Sequence, residues 1–254
     1  MKICHFEYKN SVYWGAVKNR TIFPLENFKI PFEQNNQVKL TEHIEIENVK
    51  LLPATPSKIV CVGRNYAEHA AELGNEVPEQ PLLFLKAPSS VITENKAIVI
   101  PRQSLQVEHE GELACIIGRT CKDLSDHQNP LEYVFGYTCL NDVTARDLQR
   151  IDVQFTRAKS FDTFCPVGGF IETELDVSDI RVTTRVNGVI KQDGRTSQMV
   201  FPVPFLVRYI SNQMTLNAGD IIATGTPSGV SQLNAGDFCE VEIEGIGVLG
   251  NMVE

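Results

Sequence analysis

The sequence lacks C-x-x-C pairs, clusters of lysine or arginine, and any apolar run approaching the roughly 20 residues of a membrane span. Its seven cysteines, an odd number, are scattered from Cys4 to Cys239. Most sit in apolar runs such as Leu113–Ile117, where cysteine packs as a small hydrophobe. A disulfide framework and a zinc–thiolate site are therefore disfavoured, and a reducing cytoplasm is the expected compartment. The first ten residues carry too few apolar side chains for a signal peptide. Without concentrated positive charge, and with a formal net charge of -9, nucleic acid is excluded as an expected partner. That acidity still admits an anionic substrate, because a bound cation reverses the field inside a cleft. What remains is the composition of a globular protein: 254 residues, 43% hydrophobic, are enough for a large domain with a small appendage.

Strand signals outnumber helix signals and do not alternate with them, so the fold class is α+β, dominated by β, rather than a doubly wound sheet. Residues 1–55 form a small N-terminal β domain closed by a proline-rich stretch from Leu51 to Ser57, and residues 56–254 form the main domain. Strands are expected at 58–63, 81–86, 97–101, 108–118 and 133–140. Short helices are expected at 66–73, before Gly74, at 143–150 and at 205–212. Asn187-Gly188 marks a hairpin within 181–189. Leu-Asn-Ala-Gly-Asp occurs at 216–220 and again at 233–237, which reads as two similar turns launching strands.

Four places carry residue types suited to chemistry. In Val107-Glu-His-Glu-Gly-Glu-Leu, strand alternation puts Glu108, Glu110 and Glu112 on one side. Same-face carboxylates beside an apolar run repel unless a hard cation neutralises them, and a solvent-facing edge strand is the competing reading. Asp142 ends the apolar run from Tyr133; it is either a third ligand or the first-turn acid of the next helix. His69 and Glu72 lie three apart on a helix, where a carboxylate can orient an imidazole as a general base. Lys159 either holds a substrate carboxylate or reaches to solvent. Thr224-Gly-Thr-Pro follows a buried strand and could cradle an anion with its turn donors.

These pieces occur in a recognisable order. Gly63-Arg-Asn-Tyr-Ala-Glu-His69, Phe84-Leu-Lys-Ala-Pro, Glu108-His-Glu-Gly-Glu112-Leu, Asn141-Asp-Val-Thr-Ala-Arg146-Asp-Leu-Gln149, Ala158-Lys-Ser-Phe-Asp and Thr224-Gly-Thr-Pro resemble the fumarylacetoacetate hydrolase family from about residue 57 onward. The resemblance implies a mixed β-roll with a small N-terminal β domain, assembled as a homodimer. It implies Mg²⁺ or Mn²⁺ on Glu110, Glu112 and Asp142, and a His69/Glu72 dyad on a segment that acts as a lid in relatives. It places Lys159 among the catalytic residues and Arg146, Gln149 and Thr226 along the substrate pocket. Glu108 has no metal role in the family pattern.

The implied substrate is a small 2-oxo acid, whose carboxylate and keto oxygens chelate the metal so that an enolate is stabilised. Acylpyruvate or fumarylpyruvate hydrolysis, oxaloacetate decarboxylation and keto–enol tautomerisation all follow from that intermediate. An isomerase/decarboxylase of aromatic catabolism, a sugar-acid dehydratase and a non-catalytic metal-binding protein are the alternatives.

Overall fold

The computed structural model describes residues 1–25, 42–94 and 96–254, so the part of the N-terminal reading that falls on 26–41 lies outside the described residues. The strands that position the site are β1 (Lys2–Tyr8), β2 (Ser11–Lys18), β3 (Ile59–Gly63), β4 (Leu82–Lys86), β5 (Gly111–Ile117) and β6 (Val134–Asn141). They continue with β7 (Phe170–Glu172), β8 (Arg181–Val186), β9 (Val189–Arg195), β10 (Ile221–Ala223), β11 (Phe238–Ile243) and β12 (Gly247–Met252). Helices are short: α1 (Ala67–Glu72), α2 (Arg146–Ile151), α3 (Thr156–Lys159) and α4 (Val203–Gln213).

The largest sheet runs through β2-β1-β7-β6-β5-β10-β3-β4, antiparallel throughout except for the β10–β3 pair. Through the β1–β7 pairing the N-terminal strands extend the same sheet. A second, antiparallel sheet has the order β9-β8-β11-β12. Between the two, Leu113, Cys115 and Ile117 of β5 pack with Val182, Val241 and Leu249, and with Leu206 and Ile210 of α4. On the opposite face Ala114 and Ile116 meet Ile59, Cys61, Ile221 and Trp14. A strand buried on both faces needs no polar alternation, which is why 113–117 reads as one apolar run.

Several element boundaries differ from the sequence expectation for identifiable reasons. The expected strand at 97–101 makes a single bridge, Ile98 with Val253, because its one backbone partner is the short C-terminal tail. The helix expected from 143 begins at Arg146, since Thr144–Ala145 first pairs with Val107–Glu108 as a two-residue ribbon. The strand expected over 108–118 is interrupted at His109–Glu110, and β5 starts at Gly111. α4 begins two residues early, with Pro204 in its first turn, where a missing N–H leaves no helical bond unmade.

The hairpin between β8 and β9 turns on Asn187 (φ 52°) and Gly188 (φ 77°). The repeated Leu-Asn-Ala-Gly-Asp segments are two copies of one turn. In each, the Asp carboxylate accepts from the Asn backbone N–H at 2.7 Å (Asp220 from Asn217, Asp237 from Asn234). All seven cysteines are buried and unbridged. Among the described residues no helix is long and apolar enough to cross a membrane.

Candidate active site

Strand register assembles the acidic centre. β5 and β6 pair antiparallel with Gly111 opposite Asn141 and Glu112 opposite Leu140, so continuing that register sets Glu110 across from Asp142. The strands keep contact past the last ladder pair. The Asp142 N–H donates to the Glu110 carbonyl at 2.8 Å, and the Glu110 N–H donates to Asn141 Oδ1 at 3.0 Å. Glu112 lies diagonal to Asp142, a separation carboxylates can span. One oxygen from each of Glu110, Glu112 and Asp142 falls within 4.8 Å of the others, and all three side chains are buried.

Buried cations surround this centre. Lys159, at the end of α3, donates to Glu110 Oε2 and Asp142 Oδ2, both at 2.7 Å. It is 2% exposed, so it does not reach to solvent. Lys86, at the end of β4, donates to Asp142 Oδ1 at 2.6 Å and to the Val143 carbonyl at 3.1 Å. Arg146, at the start of α2, binds Glu108 Oε2 through Nε at 2.7 Å and also pairs with Glu110 and Gln149. Asp142 therefore caps no helix.

The carboxyl groups respond unequally. Burial would raise the Glu110 pKa, but the charges of Lys159 and Arg146 overcome it and hold that carboxyl well below the usual range. Burial, followed by the charges of Asp142 and Glu110, pushes Glu112 well above it. Glu112 accepts from the Gly225 N–H at 2.8 Å. Four carboxylates (Glu108, Glu110, Glu112, Asp142) thus face three cations (Lys86, Arg146, Lys159), and the cluster is short of positive charge at Glu112. A hard divalent cation with oxygen ligands fits this donor set.

His69 and Glu72 come from α1, a six-residue helix too short to be stable alone. Its flanks are pinned by a Tyr66–Met199 bridge and by Asn65, which bonds the Phe201 backbone and the Thr224 carbonyl. His69 Nδ1 lies 3.4 Å from Glu72 Oε2, and both Glu72 oxygens accept from the Gly229 N–H at 3.1 Å. Burial lowers the His69 pKa, only partly opposed by Glu110 and Glu72, so the imidazole is neutral near pH 7.

In the Thr224–Pro227 turn the Gly225 N–H and both threonine hydroxyls bond the protein's own groups, while Thr226 also lines the cavity. Gly225 (φ 98°) gives its N–H to Glu112, and a Cβ there would meet the Asn65 Cβ at 2.7 Å. Thr224 Oγ1 donates to the Leu113 carbonyl at 2.9 Å, and Thr226 Oγ1 to the Gly111 carbonyl at 2.8 Å. Gln192 Nε2, from β9, donates to Thr226 Oγ1 and to the Pro227 carbonyl, both at 2.7 Å. A carbonyl only accepts, so the Gln192 NH₂ must face Pro227 and its Oε1 must face the Gly111 N–H (2.9 Å) and His109 Nδ1 (3.1 Å). His109 therefore carries its proton on Nδ1 and accepts from the Ser231 hydroxyl at Nε2, 2.9 Å away. Burial lowers its pKa in the same sense.

Replacing Gln192 with leucine keeps the volume but strands two buried donors. Unfolding free energy is expected to fall by roughly 2–4 kcal/mol in urea titrations. A change under about 0.5 kcal/mol would show that this network does not brace the site.

One cavity of about 450 Å³ is lined by His69, Glu72, Glu110, Glu112, Asp142, Arg146, Gln149, Lys159 and Thr226, which are all nine residues singled out from the sequence. Sequence reasoning gave no role to Lys86, Asn65, Asn141, His109 or Gln192, and left Glu108 aside, although Glu108 anchors Arg146. Lys86 had one usable signal, a lysine closing an apolar strand just before Ala-Pro.

A family model for the fumarylacetoacetate (FAA) hydrolase C-terminal region matches residues 58–254. An oxaloacetate decarboxylase (mitochondrial) of Dictyostelium discoideum is 45% identical over 199 residues, covering 76% of this chain and 91% of that protein. The crystal structure of 5-carboxymethyl-2-hydroxymuconate delta-isomerase from Mycobacterium smegmatis matches with a TM-score of 0.88 at 39% identity, covering 100% of this chain and 99% of that one. Fumarylpyruvate hydrolase from Pseudomonas aeruginosa, crystallised with Mn²⁺ and pyruvate, matches with a TM-score of 0.73 at 28% identity, covering 80% and 91%. With its acidic centre, its buried lysines and its His/Glu pair gathered on one cavity, the chain belongs to the fumarylacetoacetate hydrolase family.

Proposed function

We propose that this chain is a Mg²⁺- or Mn²⁺-dependent enzyme acting on a small 2-oxo acid. The substrate is oxaloacetate, for decarboxylation or keto–enol tautomerisation, or an acylpyruvate such as fumarylpyruvate, for C–C hydrolysis. The observation that carries this reading is a buried carboxylate cluster short of positive charge, sharing its cavity with a neutral, carboxylate-oriented histidine. The named activities of the relatives, and the Mn²⁺ and pyruvate in one of them, support it.

Glu110, Glu112 and Asp142 would hold a divalent cation, which would supply Lewis acidity for enolate formation from such a substrate. The rest is done by the chain. His69 Nδ1 is engaged by Glu72, so Nε2 is the nitrogen that takes or returns a proton at the carbon beside the keto group. For hydrolysis the same nitrogen takes the proton of an attacking water. Lys159 and Arg146 offset negative charge as it develops. The Thr226 hydroxyl spends its proton on the Gly111 carbonyl and offers a ligand only a lone pair.

A substrate panel with Mg²⁺, Mn²⁺ or chelator tests the reading, following oxaloacetate enol/keto absorbance, CO₂ release and acylpyruvate cleavage in parallel. Turnover of at least one 2-oxo acid that chelator abolishes and metal restores is expected; activity indifferent to chelator would refute it. The pH profile has a defined sign. His69 must be neutral to act, and burial lowers its pKa from 6.5, so the rate should fall on acidification with a midpoint below pH 6.5. A rate that falls with a midpoint at or above pH 6.5 would contradict the assignment.

A further inference from the structure

Strand alternation in Val107-Glu-His-Glu-Gly-Glu predicts three carboxylates on one side, but only Glu110 and Glu112 join Asp142 in the acidic centre. Glu108 stands apart, in the two-residue ribbon with Thr144, and is 7% exposed. Both of its oxygens are taken. Oε2 accepts from Arg146 Nε at 2.7 Å, and Oε1 accepts from Gln106 Nε2 at 2.6 Å. A carboxylate only accepts, so the Gln106 amide turns its NH₂ to Glu108 and its Oε1 toward Arg150, which donates to it at 2.9 Å. Gln106 also fixes the start of α2, its carbonyl accepting from the Arg146 N–H at 2.7 Å. A buried carboxylate is costly to keep, and this one adds no oxygen to the donor set of the centre.

Its role follows from the shape of the guanidinium. Nε and Nη2 lie on one edge and match both oxygens of a single carboxylate, the fork that arginine commonly closes on an acid. Here that edge is divided. Nε goes to Glu108 and Nη2 to Glu110, while Nη1 goes to Gln149. Glu110 therefore receives one N–H from Arg146 on Oε1 and one from Lys159 on Oε2. Each oxygen keeps a second lone pair for a cation. With Nε released, the fork would close on Glu110, and the uncompensated Arg146 charge would repel a divalent ion beside it.

We infer that Glu108 is a positioning residue for the cation site: by holding Arg146 at Nε and balancing its charge, it keeps Glu110 available as a ligand. This rests on the proposed divalent cation. It adds to that site a carboxylate that acts without touching the ion.

Titration of the full, metal-free chain with Mn²⁺, read by the free-ion paramagnetic resonance signal, tests this without turnover. Glu108→Gln keeps the size of the side chain but replaces the charged acceptor with a neutral one. It should weaken Mn²⁺ binding by about tenfold or more. In an Arg146→Met background the same substitution should change the affinity by less than about threefold, because the effect passes through Arg146. Melting temperatures without metal check that each variant folds. Should Glu108→Gln not fold, Gln106→Ala carries the test. Gln106 is half-buried, and its loss frees Glu108 without changing any charge, so binding should weaken in the same direction by about threefold or more. Parent-like affinity in the variant used, or an equal loss with and without Arg146, would overturn the inference and leave the cation reading standing. No Mn²⁺ binding by the unaltered chain would refute that reading and this inference with it.

Discussion

Replacing His69 with alanine is expected to lower turnover of the active 2-oxo acid by about 10²- to 10⁴-fold, the usual contribution of a positioned general base. Orientation and charge state suit His69 to that role. The imidazole is 5% exposed, burial keeps it neutral, and Nδ1 points at a carboxylate that is itself fixed by a backbone N–H. Glu72→Gln should give a smaller loss, because the amide can still accept from Nδ1–H but stabilises the protonated ring less. Since His69 is no ligand of the acidic centre, Mn²⁺ affinity of the alanine variant should stay within a few-fold of the parent. Steady-state kinetics and a Mn²⁺ titration on the same preparation check both halves. Turnover within about threefold of the parent would remove His69 from the mechanism.

Asp142→Ala is expected to be the most destabilising single change at the site. Asp142 is the one carboxylate shared by Lys86 and Lys159, and all three side chains are buried. Without it, Lys86 keeps only the Val143 carbonyl and Lys159 keeps only Glu110. Removing one partner of a buried ion pair typically costs about 3–5 kcal/mol, because the remaining charge is left without compensation. Urea unfolding monitored by circular dichroism should show a loss of that order. Lys86→Met in the Asp142→Ala background should recover part of it, since a buried ammonium is then removed as well. A stability change under about 1 kcal/mol would mean that the lysines find other partners and that the cluster is looser than its geometry indicates.

What could be read in the sequence divides along physical lines. Glu110, Glu112 and Asp142 were legible because each breaks or bounds an apolar run, and a carboxylate there demands compensation. That they meet depends on the register Gly111–Asn141, which no local pattern encodes, because it is set by packing on both faces of β5 and β6. His69 and Glu72 were legible from helical spacing. What fixes Glu72 is the Gly229 N–H, far along the chain, and that was not.

Lys86 and Gln192 escaped for the same reason. Each satisfies a partner brought near only by the fold: Lys86 meets Asp142 across 56 positions, and Gln192 meets Gly111 across 81. Alone, a lysine ending a strand and a glutamine on a hairpin both read as solvated. The strand expected at 108–118 was interrupted because Glu110 turns its backbone N–H to the Asn141 side chain rather than to a ladder partner. Locally, Glu-His-Glu-Gly-Glu carries nothing that distinguishes the two.

The central claim is that Glu110, Glu112 and Asp142 together hold one divalent cation. Titration of the protein with Mn²⁺, read by the loss of free-ion paramagnetic resonance signal, tests it without reference to any substrate. The expected result is one site per chain in the parent, an affinity lowered by about 100-fold or more in Glu112→Gln, and parent-like binding in Glu72→Gln, which alters a carboxylate of the same cavity outside the triad. Binding that survives Glu112→Gln unchanged, or that is lost equally in Glu72→Gln, would contradict the account.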